Sequence, residues 1–233
     1  MKISILHPSR SRVEKSVNTI DNWLERTSSS AEIQLIVSVD DNDPQLELYK
    51  QAYNEEHTLI VNKNRSCVDA INNAAKVATG DILLVVSDDT DCKVDWDVNL
   101  LVQVNGSTDW CLKTNDGIQD YIITMPCVDR IYYNRFGYIY HPDFFHMFAD
   151  TYMTCVADIT GRKFVSHLDF PHLHPGHSGG KETTDALNTR NDLSWKEGQD
   201  TFIRLMKQFS KSDIQKIKDR QMIRFLRNNG VQV

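Results

Sequence analysis

The stretch that decides the fold reads Thr79-Gly80-Asp81-Ile82-Leu83-Leu84-Val85-Val86-Ser87-Asp88-Asp89-Thr90-Asp91. Its apolar centre predicts a short buried strand over residues 82–86. Three carboxylates, Asp88, Asp89 and Asp91, follow where that strand ends. Because like charges this close repel and raise one another's pKa, such a cluster favours a hard divalent cation. The segment indicates either a metal site that also holds a phosphate ligand or a solvated acidic turn.

Strands and helices alternate along the chain before this stretch. We expect strands over residues 2–6, 33–39 and 58–61, and helices over residues 11–26, 46–55 and 66–78. The helices follow from apolar residues at helical spacing, and the strands from short runs rich in β-branched residues. This alternation predicts right-handed βαβ units, a mostly parallel sheet and a ligand site at the carboxyl ends of the strands.

The pattern is less regular after the acidic cluster. We expect a helix over residues 96–104, strands over 121–125, 130–133 and 138–140, a helix over 144–157, a loop over 170–180, and helices over 193–228. The loop follows from its Pro and Gly residues. The chain as a whole is therefore predicted to form one α/β domain over residues 1–180, with a mixed, mostly parallel sheet flanked by helices. A helical extension over residues 181–233 is expected to pack on it.

The composition is that of an ordinary globular protein. The 233 residues are 40% hydrophobic and 25% charged, which are typical values for a soluble chain. No apolar run approaches the roughly 20 residues of a transmembrane helix, and Pro8 interrupts the N-terminus before a signal-peptide core could form. Five dispersed cysteines without a Cys-x-x-Cys pair indicate reduced thiols. We expect a cytoplasmic protein with no transmembrane segment.

The C-terminal part of the chain is basic although the net charge of the protein is −6. Residues 202–228 contain eight Lys or Arg residues and only two acidic ones, a net charge of +6, so the remainder carries −12. A basic tail on an acidic body can dock on a nucleic acid, an anionic membrane or an acidic partner. It can equally be the solvated face of a terminal helix packed on the body.

Two further positions have the residue types of a reactive site. Asp150 is the only acidic residue in the apolar stretch 144–156, and partial burial can tune such a carboxyl group into a general base. The alternative is an exposed or helix-capping Asp. His172, His174 and His177 lie in a loop rich in Gly and Pro, where they are candidate metal ligands or phosphate donors, or ordinary surface histidines.

Several of these segments together resemble the family 2 glycosyltransferases of the GT-A fold. The helix Ala70 to Ala78, then Thr79-Gly80-Asp81, a strand and Ser87-Asp88-Asp89 match that family in order and spacing. Ile71 and Ala74 depart from its usual Arg and Gly, and Ser87 replaces the first Asp of its Asp-x-Asp (DXD) motif. The likeness covers roughly residues 2–178.

The resemblance implies a set of roles at a nucleotide-sugar site. The expected nucleotide and donor contacts are Pro8, Ser9, Arg10, Asp40, Asn64, Arg65, Asn72 and Asp88. The expected ligands of Mn²⁺ or Mg²⁺ are Asp89, Asp91, His174 and His172. Asp89 belongs to both readings of the motif, Ser87-Asp88-Asp89 and Asp89-Thr90-Asp91. Asp150 falls where the family has its catalytic base, although Ala149 replaces the preceding Glu.

The implied activity is metal-dependent, inverting transfer of a hexosyl or pentosyl group from a UDP- or GDP-sugar to an acceptor hydroxyl. The candidate acceptors are a glycan and a hydroxymethylated DNA base, the latter reached through the basic tail. Two alternatives remain: a sugar-nucleotide-binding module, and a nucleotidyltransferase or sugar-nucleotide hydrolase on the same scaffold. The first loop, Pro8 to Ser11, contains no glycine, which counts against a nucleotidyltransferase.

Overall fold

The residues that the structure describes form a seven-stranded sheet covered by helices on both faces. The computed structural model describes residues 1–53, 57–173, 189 and 193–233. The sheet has the order β3-β2-β1-β4-β6-β5-β7. Its strands are β1 (Lys2–Pro8), β2 (Glu32–Asp40), β3 (Thr58–Asn62), β4 (Ile82–Val85), β5 (Cys111–Asn115), β6 (Cys127–Asp129) and β7 (Lys163–Asp169). The helices are α1 (Val13–Glu25), α2 (Leu46–Ala52), α3 (Cys67–Val77), α4 (Trp96–Val104), α5 (Arg130–Phe136), α6 (Ala149–Ile159), α7 (Trp195–Met206), α8 (Lys211–Ile214) and α9 (Arg220–Asn228).

The N-terminal half confirms the predicted alternation. The strand β1 pairs in parallel with β2 and with β4, and β2 pairs in parallel with β3. All four residues of β4 are buried, as expected of a central strand that helices cover on both faces. The ends of β1, β2 and β4 therefore lie side by side at one edge of the sheet.

The second half corrects three strand predictions. Residues 130–133 belong to the helix α5, because the Asp129 side chain accepts a hydrogen bond from the Tyr132 N–H and Gly137, at φ +74°, ends the helix. Residues 121–125 and 138–140 form no strand. The Ile123 N–H is bonded to Thr154 Oγ1 at 2.9 Å instead of to a neighbouring strand.

The strands β5, β6 and β7 complete the sheet and were not predicted. The strand β6 runs antiparallel to both β4 and β5, and β7 pairs in parallel with β5. These strands carry weak sequence signals: β6 has three residues, and β7 leaves Val165 64% exposed. The predicted helix over residues 144–157 begins only at Ala149, because Phe148 adopts a positive φ of 69°.

Two apolar clusters lie on opposite faces of the sheet. Helices α1, α2 and α4 supply one cluster, with Trp23 and Trp96 fully buried in it. Helices α3, α5 and α6 supply the other, together with the three C-terminal helices. The apolar residues of the C-terminal segment, including Phe202, Ile214 and Leu226, thus pack into the main core. No helix among the described residues is long and apolar enough to cross a membrane.

A buried polar chain fastens α1 and the end of α2 to the central strands. His7 Nδ1 lies 2.7 Å from the Val86 carbonyl oxygen, and His7 Nε2 lies 2.7 Å from Ser16 Oγ. Because a carbonyl only accepts, Nδ1 carries the proton and Nε2 accepts from Ser16, which in turn accepts from Tyr53 OH at 2.7 Å. Burial lowers the pKa of His7 to about 4, so the imidazole is neutral.

Gly80 is required by the close approach of the segment after α3 to β1. A Cβ at this position would lie 2.6 Å from both the Ser4 N and Ser4 Oγ atoms and 2.9 Å from the Lys2 carbonyl oxygen. The Gly80 N–H also donates to Ser4 Oγ at 2.8 Å. The glycine therefore sets the distance between β1 and the start of β4.

We predict that Gly80→Ala lowers the free energy of unfolding by about 1–3 kcal/mol, because the added methyl group displaces the backbone of β1. Urea unfolding followed by circular dichroism measures the loss. The matched control is Val77→Ala, at an exposed position of α3, which should change the stability by less than about 0.5 kcal/mol. An unchanged unfolding midpoint for Gly80→Ala would show that the two segments are not held this closely.

Candidate active site

A cleft of about 420 Å³ opens where β1, β2 and β4 end. This volume lies within the range of small-molecule sites. One side of the cleft is formed by the strand ends and the other by the turn before α6 and the first residue of α7. The lining of the cleft includes Pro8, Ser9, Arg10, Arg12, Asp40, Cys67, Asp88, Asp89, His146, Phe148, Asp150, His172 and Trp195.

The loop after β1 and the end of β2 are joined by an ion pair. Arg10 Nη1 contacts Asp40 Oδ2 and also donates to Asn42 Oδ1 at 2.8 Å. Asn64 Nδ2 donates to the other Asp40 oxygen at 2.9 Å. The structure thus brings together Pro8, Arg10, Asp40 and Asn64, four of the predicted nucleotide contacts.

Three of the other four predicted contacts, Ser9, Arg65 and Asn72, bond to groups of the protein itself. Ser9 lines the cleft, but its Oγ is buried against Tyr49 OH at 2.6 Å. Arg65 lies outside the cleft lining and bonds to Asp69. Asn72 is buried, donating to the Tyr140 carbonyl at 2.7 Å and accepting from the Ile139 N–H at 2.9 Å. These contacts favour a structural role for Asn72, which fixes a wall of the cleft.

Two of the three carboxylates of the acidic cluster line the cleft, and the third lies outside it. Asp88 and Asp89 line the cleft, where Arg12 Nη1 lies 3.0 Å from Asp88 Oδ1 and His172 Nε2 lies 3.3 Å from Asp89 Oδ2. Asp91 lies outside the cleft lining and accepts hydrogen bonds from Asn22 and Arg26, each at 2.7 Å. The cleft therefore presents the register Ser87-Asp88-Asp89 and not Asp89-Thr90-Asp91.

Burial and pairing set the charge of the two cleft carboxylates differently. Burial raises the pKa of Asp88 to about 6, and the neighbouring Asp89 adds to this although Arg12 opposes it. Burial also disfavours the charged form of Asp89, but the hydrogen bond and charge of His172, with Ser87, outweigh it and hold that pKa well below its usual range. The same pair raises the pKa of His172 against the effect of burial.

Asp150 stands on the other side of the cleft, in the first turn of α6. Its Oδ1 accepts the Thr151 N–H at 2.6 Å and the Thr151 hydroxyl at 3.2 Å. Within the described residues it forms no ion pair. Burial raises the pKa of Asp150 above its usual value, although the bonds from Thr151 oppose the shift. A carboxyl group so placed can accept a proton from a ligand in the cleft.

The fold that carries this cleft is similar to that of solved structures with bound nucleotide sugars. A TarS fragment of S. aureus in complex with UDP-GlcNAc superposes with a TM-score of 0.66 at 14% identity, over 98% of this chain and 72% of that one. The mannosyltransferase PcManGT of Pyrobaculum calidifontis, in complex with GDP-Man and Mn²⁺, gives a TM-score of 0.59 at 13% identity, over 75% of this chain and 57% of that one.

A third solved structure is similar over most of both chains. Glucosyl-3-phosphoglycerate synthase of Mycobacterium tuberculosis, with Mn²⁺, UDP and phosphoglyceric acid, gives a TM-score of 0.58 at 11% identity, over 87% of this chain and 78% of that one. The chain has the GT-A glycosyltransferase fold. It spans little more than half the length of the mannosyltransferase. No family model matches the sequence, and neither does any curated protein.

This GT-A cleft contains residues that the sequence did not single out. Arg12 pairs with Asp88. Its position two residues after Arg10, in the loop after β1, is the sequence signal that could have identified it. Cys67 Sγ and His146 Nδ1 lie 2.7 Å apart in the wall beside Asp150. No sequence spacing connects that pair, since 79 residues separate its members.

Trp195 is the other unpredicted residue and closes the Asp150 side of the cleft. Its ring is 54% exposed and meets Phe148 edge-on, with ring centroids 5.0 Å apart. The helix α7 reaches this position because Gly198 packs on the turn before α6: a Cβ there would lie 2.3 Å from the Met147 carbonyl oxygen. The GT-A core thus receives part of its cleft from the C-terminal segment.

The structure describes only the beginning of the histidine loop. His172 contacts Asp89, whereas His174 and His177 lie outside the described residues. Within the described ranges, no three His, Cys, Asp or Glu side chains are grouped closely enough to form a complete metal site. The carboxylates available at the end of β4 are therefore Asp88 and Asp89.

The raised pKa of Asp88 predicts a pH-dependent stability. The folded state holds this proton more tightly than the unfolded state, so stability falls as the pH rises from about 4 to 7 and then levels off. The loss attributable to Asp88 is on the order of 3 kcal/mol, from a pKa change of about two units. The unfolding free energies of metal-free wild type and Asp88→Asn are measured across this pH range. The difference between the two proteins should be smaller at low pH than at pH 8. Parallel curves would contradict the shift.

Proposed function

We propose that this protein is a metal-dependent glycosyltransferase that moves a sugar from a nucleoside-diphosphate sugar to an acceptor hydroxyl with inversion of configuration. The observation that carries the proposal is the convergence of two different carboxylate sites on one cleft. Asp88 and Asp89 lie at the end of β4, and Asp150 lies at the start of α6. The nucleotide sugars bound by TarS and PcManGT support the same assignment.

The nucleotide would bind at the end of the cleft that is formed by the loops after β1 and β2. Arg10, Asp40 and Asn64 form a connected polar group there, beside Pro8. Amide and carboxylate groups of this kind recognise a base and a ribose by hydrogen bonds, while the surrounding apolar wall excludes water. The choice of UDP or GDP depends on the shape of this end of the cleft.

The residues at the end of β4 fit a divalent cation. Asp88 and Asp89 supply hard oxygen ligands, and Mn²⁺ or Mg²⁺ commonly takes one or two carboxylates and completes its coordination with phosphate oxygens. Burial raises the pKa of Asp88 although Arg12 opposes the shift, and a bound cation would favour the charged form of this carboxyl group. Asp89 is proposed as the principal ligand, with His172 within reach of the same carboxylate. A bound cation would neutralise the charge that develops on the leaving diphosphate.

Asp150 is proposed as the general base. Thr151 holds Oδ1, and among the described residues nothing bonds to Oδ2, which leaves that oxygen for an acceptor hydroxyl. Removal of the hydroxyl proton would make the acceptor oxygen a better nucleophile as it attacks the anomeric carbon on the face opposite the diphosphate. Phe148 and Trp195 form the wall on this side and would contact the acceptor. The acceptor, a glycan or a hydroxymethylated DNA base, stays a prediction.

The first test is donor binding. In a thermal-shift screen of UDP- and GDP-sugars, we expect one donor to raise the melting temperature only when Mn²⁺ is present, since ligands that bind the native state stabilise it. Asp89→Ala should abolish the Mn²⁺-dependent shift. Asp91→Asn is the matched control and should keep it, because Asp91 contacts α1 and not the cleft. If Asp91→Asn lost the shift while Asp89→Ala kept it, the metal site would instead include Asp91, in the reading Asp89-Thr90-Asp91 of the motif.

The second test separates chemistry from binding. Asp150→Asn should lower kcat for sugar transfer by about 10²–10⁴-fold while the donor-induced thermal shift persists, because only the proton acceptor is lost. Since burial raises the pKa of Asp150, wild-type kcat/KM should fall on the acid side at a pH above the ordinary range for Asp.

The control for Asp150→Asn is Asp143→Asn. Asp143 pairs with Arg204 at the surface, so this variant should leave the rate of sugar transfer unchanged. Normal turnover of Asp150→Asn would remove the base assignment. Release of free sugar at the same rate with and without an acceptor would instead identify a sugar-nucleotide hydrolase.

A further inference from the structure

The C-terminal helices present a basic outer surface that the proposed reaction does not use. All of its cationic side chains are exposed, and we define the basic surface as Arg204, Lys207, Lys211, Lys216, Lys218, Arg220, Arg224 and Arg227. Only Asp213 and Asp219 are acidic in the same segment. Residues 202–228 carry a net charge of +6, whereas the rest of the chain carries −12. The excess of positive charge is therefore confined to this segment.

The helix α9 fixes the orientation of three arginines. Arg220, Arg224 and Arg227 follow one another at helical spacings of four and three residues, which places them on one face. The opposite face packs into the main core through Leu226 and Phe225. Asp219 is occupied as the N-cap, because its Oδ1 accepts the Gln221 N–H at 2.7 Å. The arginines therefore form a row directed away from the protein body.

The basic surface extends from α9 to the end of α7. Lys207 Nζ lies 3.8 Å from the position that a Cβ would occupy at Gly230, just after α9. Two members are already paired, Arg204 with Asp143 and Lys216 with Asp213, each at 2.7 Å. The other six form no ion pair with any residue that the structure describes. Their charge is available to a partner.

The kind of partner follows from what this surface lacks. Between residues 202 and 233, every one of which the structure describes, no large hydrophobic side chain is exposed. A helix that binds in a membrane interface offers an apolar face to the acyl chains, but the apolar face of α9 is already buried in the core. The surface offers only charge and hydrogen-bond donors, and half of its cations are arginines, which match phosphate oxygens bidentately.

We propose that the basic surface binds the phosphodiester backbone of a nucleic acid. Contacts of this kind are independent of base sequence, and they weaken as salt replaces the counterions that binding releases. This binding is separate from the proposed sugar transfer, since the basic surface shares no residue with the cleft. It would bring a nucleic acid to the same C-terminal segment that carries Trp195 at the cleft.

The test is fluorescence anisotropy of a labelled 20-base-pair DNA duplex titrated with the full chain at several NaCl concentrations from about 50 mM upward. We expect log K to fall linearly with log salt at about 0.9 per phosphate contacted. The triple variant Arg220→Gln, Arg224→Gln, Arg227→Gln should weaken binding at least about tenfold and reduce the salt slope by about 1 for each arginine in contact. Its circular dichroism spectrum should match wild type.

The control removes the same number of charges elsewhere: Lys50→Gln, Lys76→Gln, Lys93→Gln, all exposed on the acidic body, should leave DNA affinity within about twofold. A parallel titration uses phosphatidylcholine–phosphatidylserine vesicles at about 7:3. Undetectable DNA binding at low salt, equal losses in the two triple variants, or vesicle binding as tight as DNA binding would each overturn the proposal. Donor binding and sugar transfer do not enter these readouts, so the two proposals fail separately.

Discussion

The parallel pairing of β1 with both β2 and β4 is the constraint on which the rest of the molecule depends. The register runs from Lys2 opposite Glu32 to Pro8 opposite Ser38, and from Ile3 opposite Ile82 to Leu6 opposite Val85. It brings the loops after all three strands to one edge. Because a slip of one residue would turn each side chain to the other face, the same pairing that buries the core also aims the acidic loops at the cleft.

The cleft is acidic, yet most of its carboxylates have a cation of their own. The pairs are Arg10–Asp40, Arg12–Asp88 and His172–Asp89. Such pairs hold charged groups in fixed positions within a partly buried site. Asp150 differs, since its bonds come from the backbone and hydroxyl of Thr151. Asp150 thus differs from the three ion-paired carboxylates, and a cleft with both kinds of carboxyl group can hold a charged ligand and accept a proton.

The sequence predicted the first four strands and their loops because local signals and tertiary structure agree there. In the second half they disagree. Residues 130–133 read as a strand from their β-branched and aromatic content, but the capping bond of Asp129 makes them helical. The likeness to family 2 glycosyltransferases placed Asp88, Asp89 and Asp150 in one site, and the cleft contains all three. His146 and Trp195 could not be assigned this way, because only the folded chain brings them to the cleft.

The contact between Gly198 and the Met147 carbonyl has a consequence for how the protein can be altered. It makes the C-terminal segment a structural part of the wall next to Asp150 and not a detachable accessory. A truncation or a domain exchange at that point would deform the wall next to Asp150 while leaving the strand ends intact. The shape of the cleft next to Asp150 and the packing of the C-terminal helices in the core are therefore coupled through this close backbone approach.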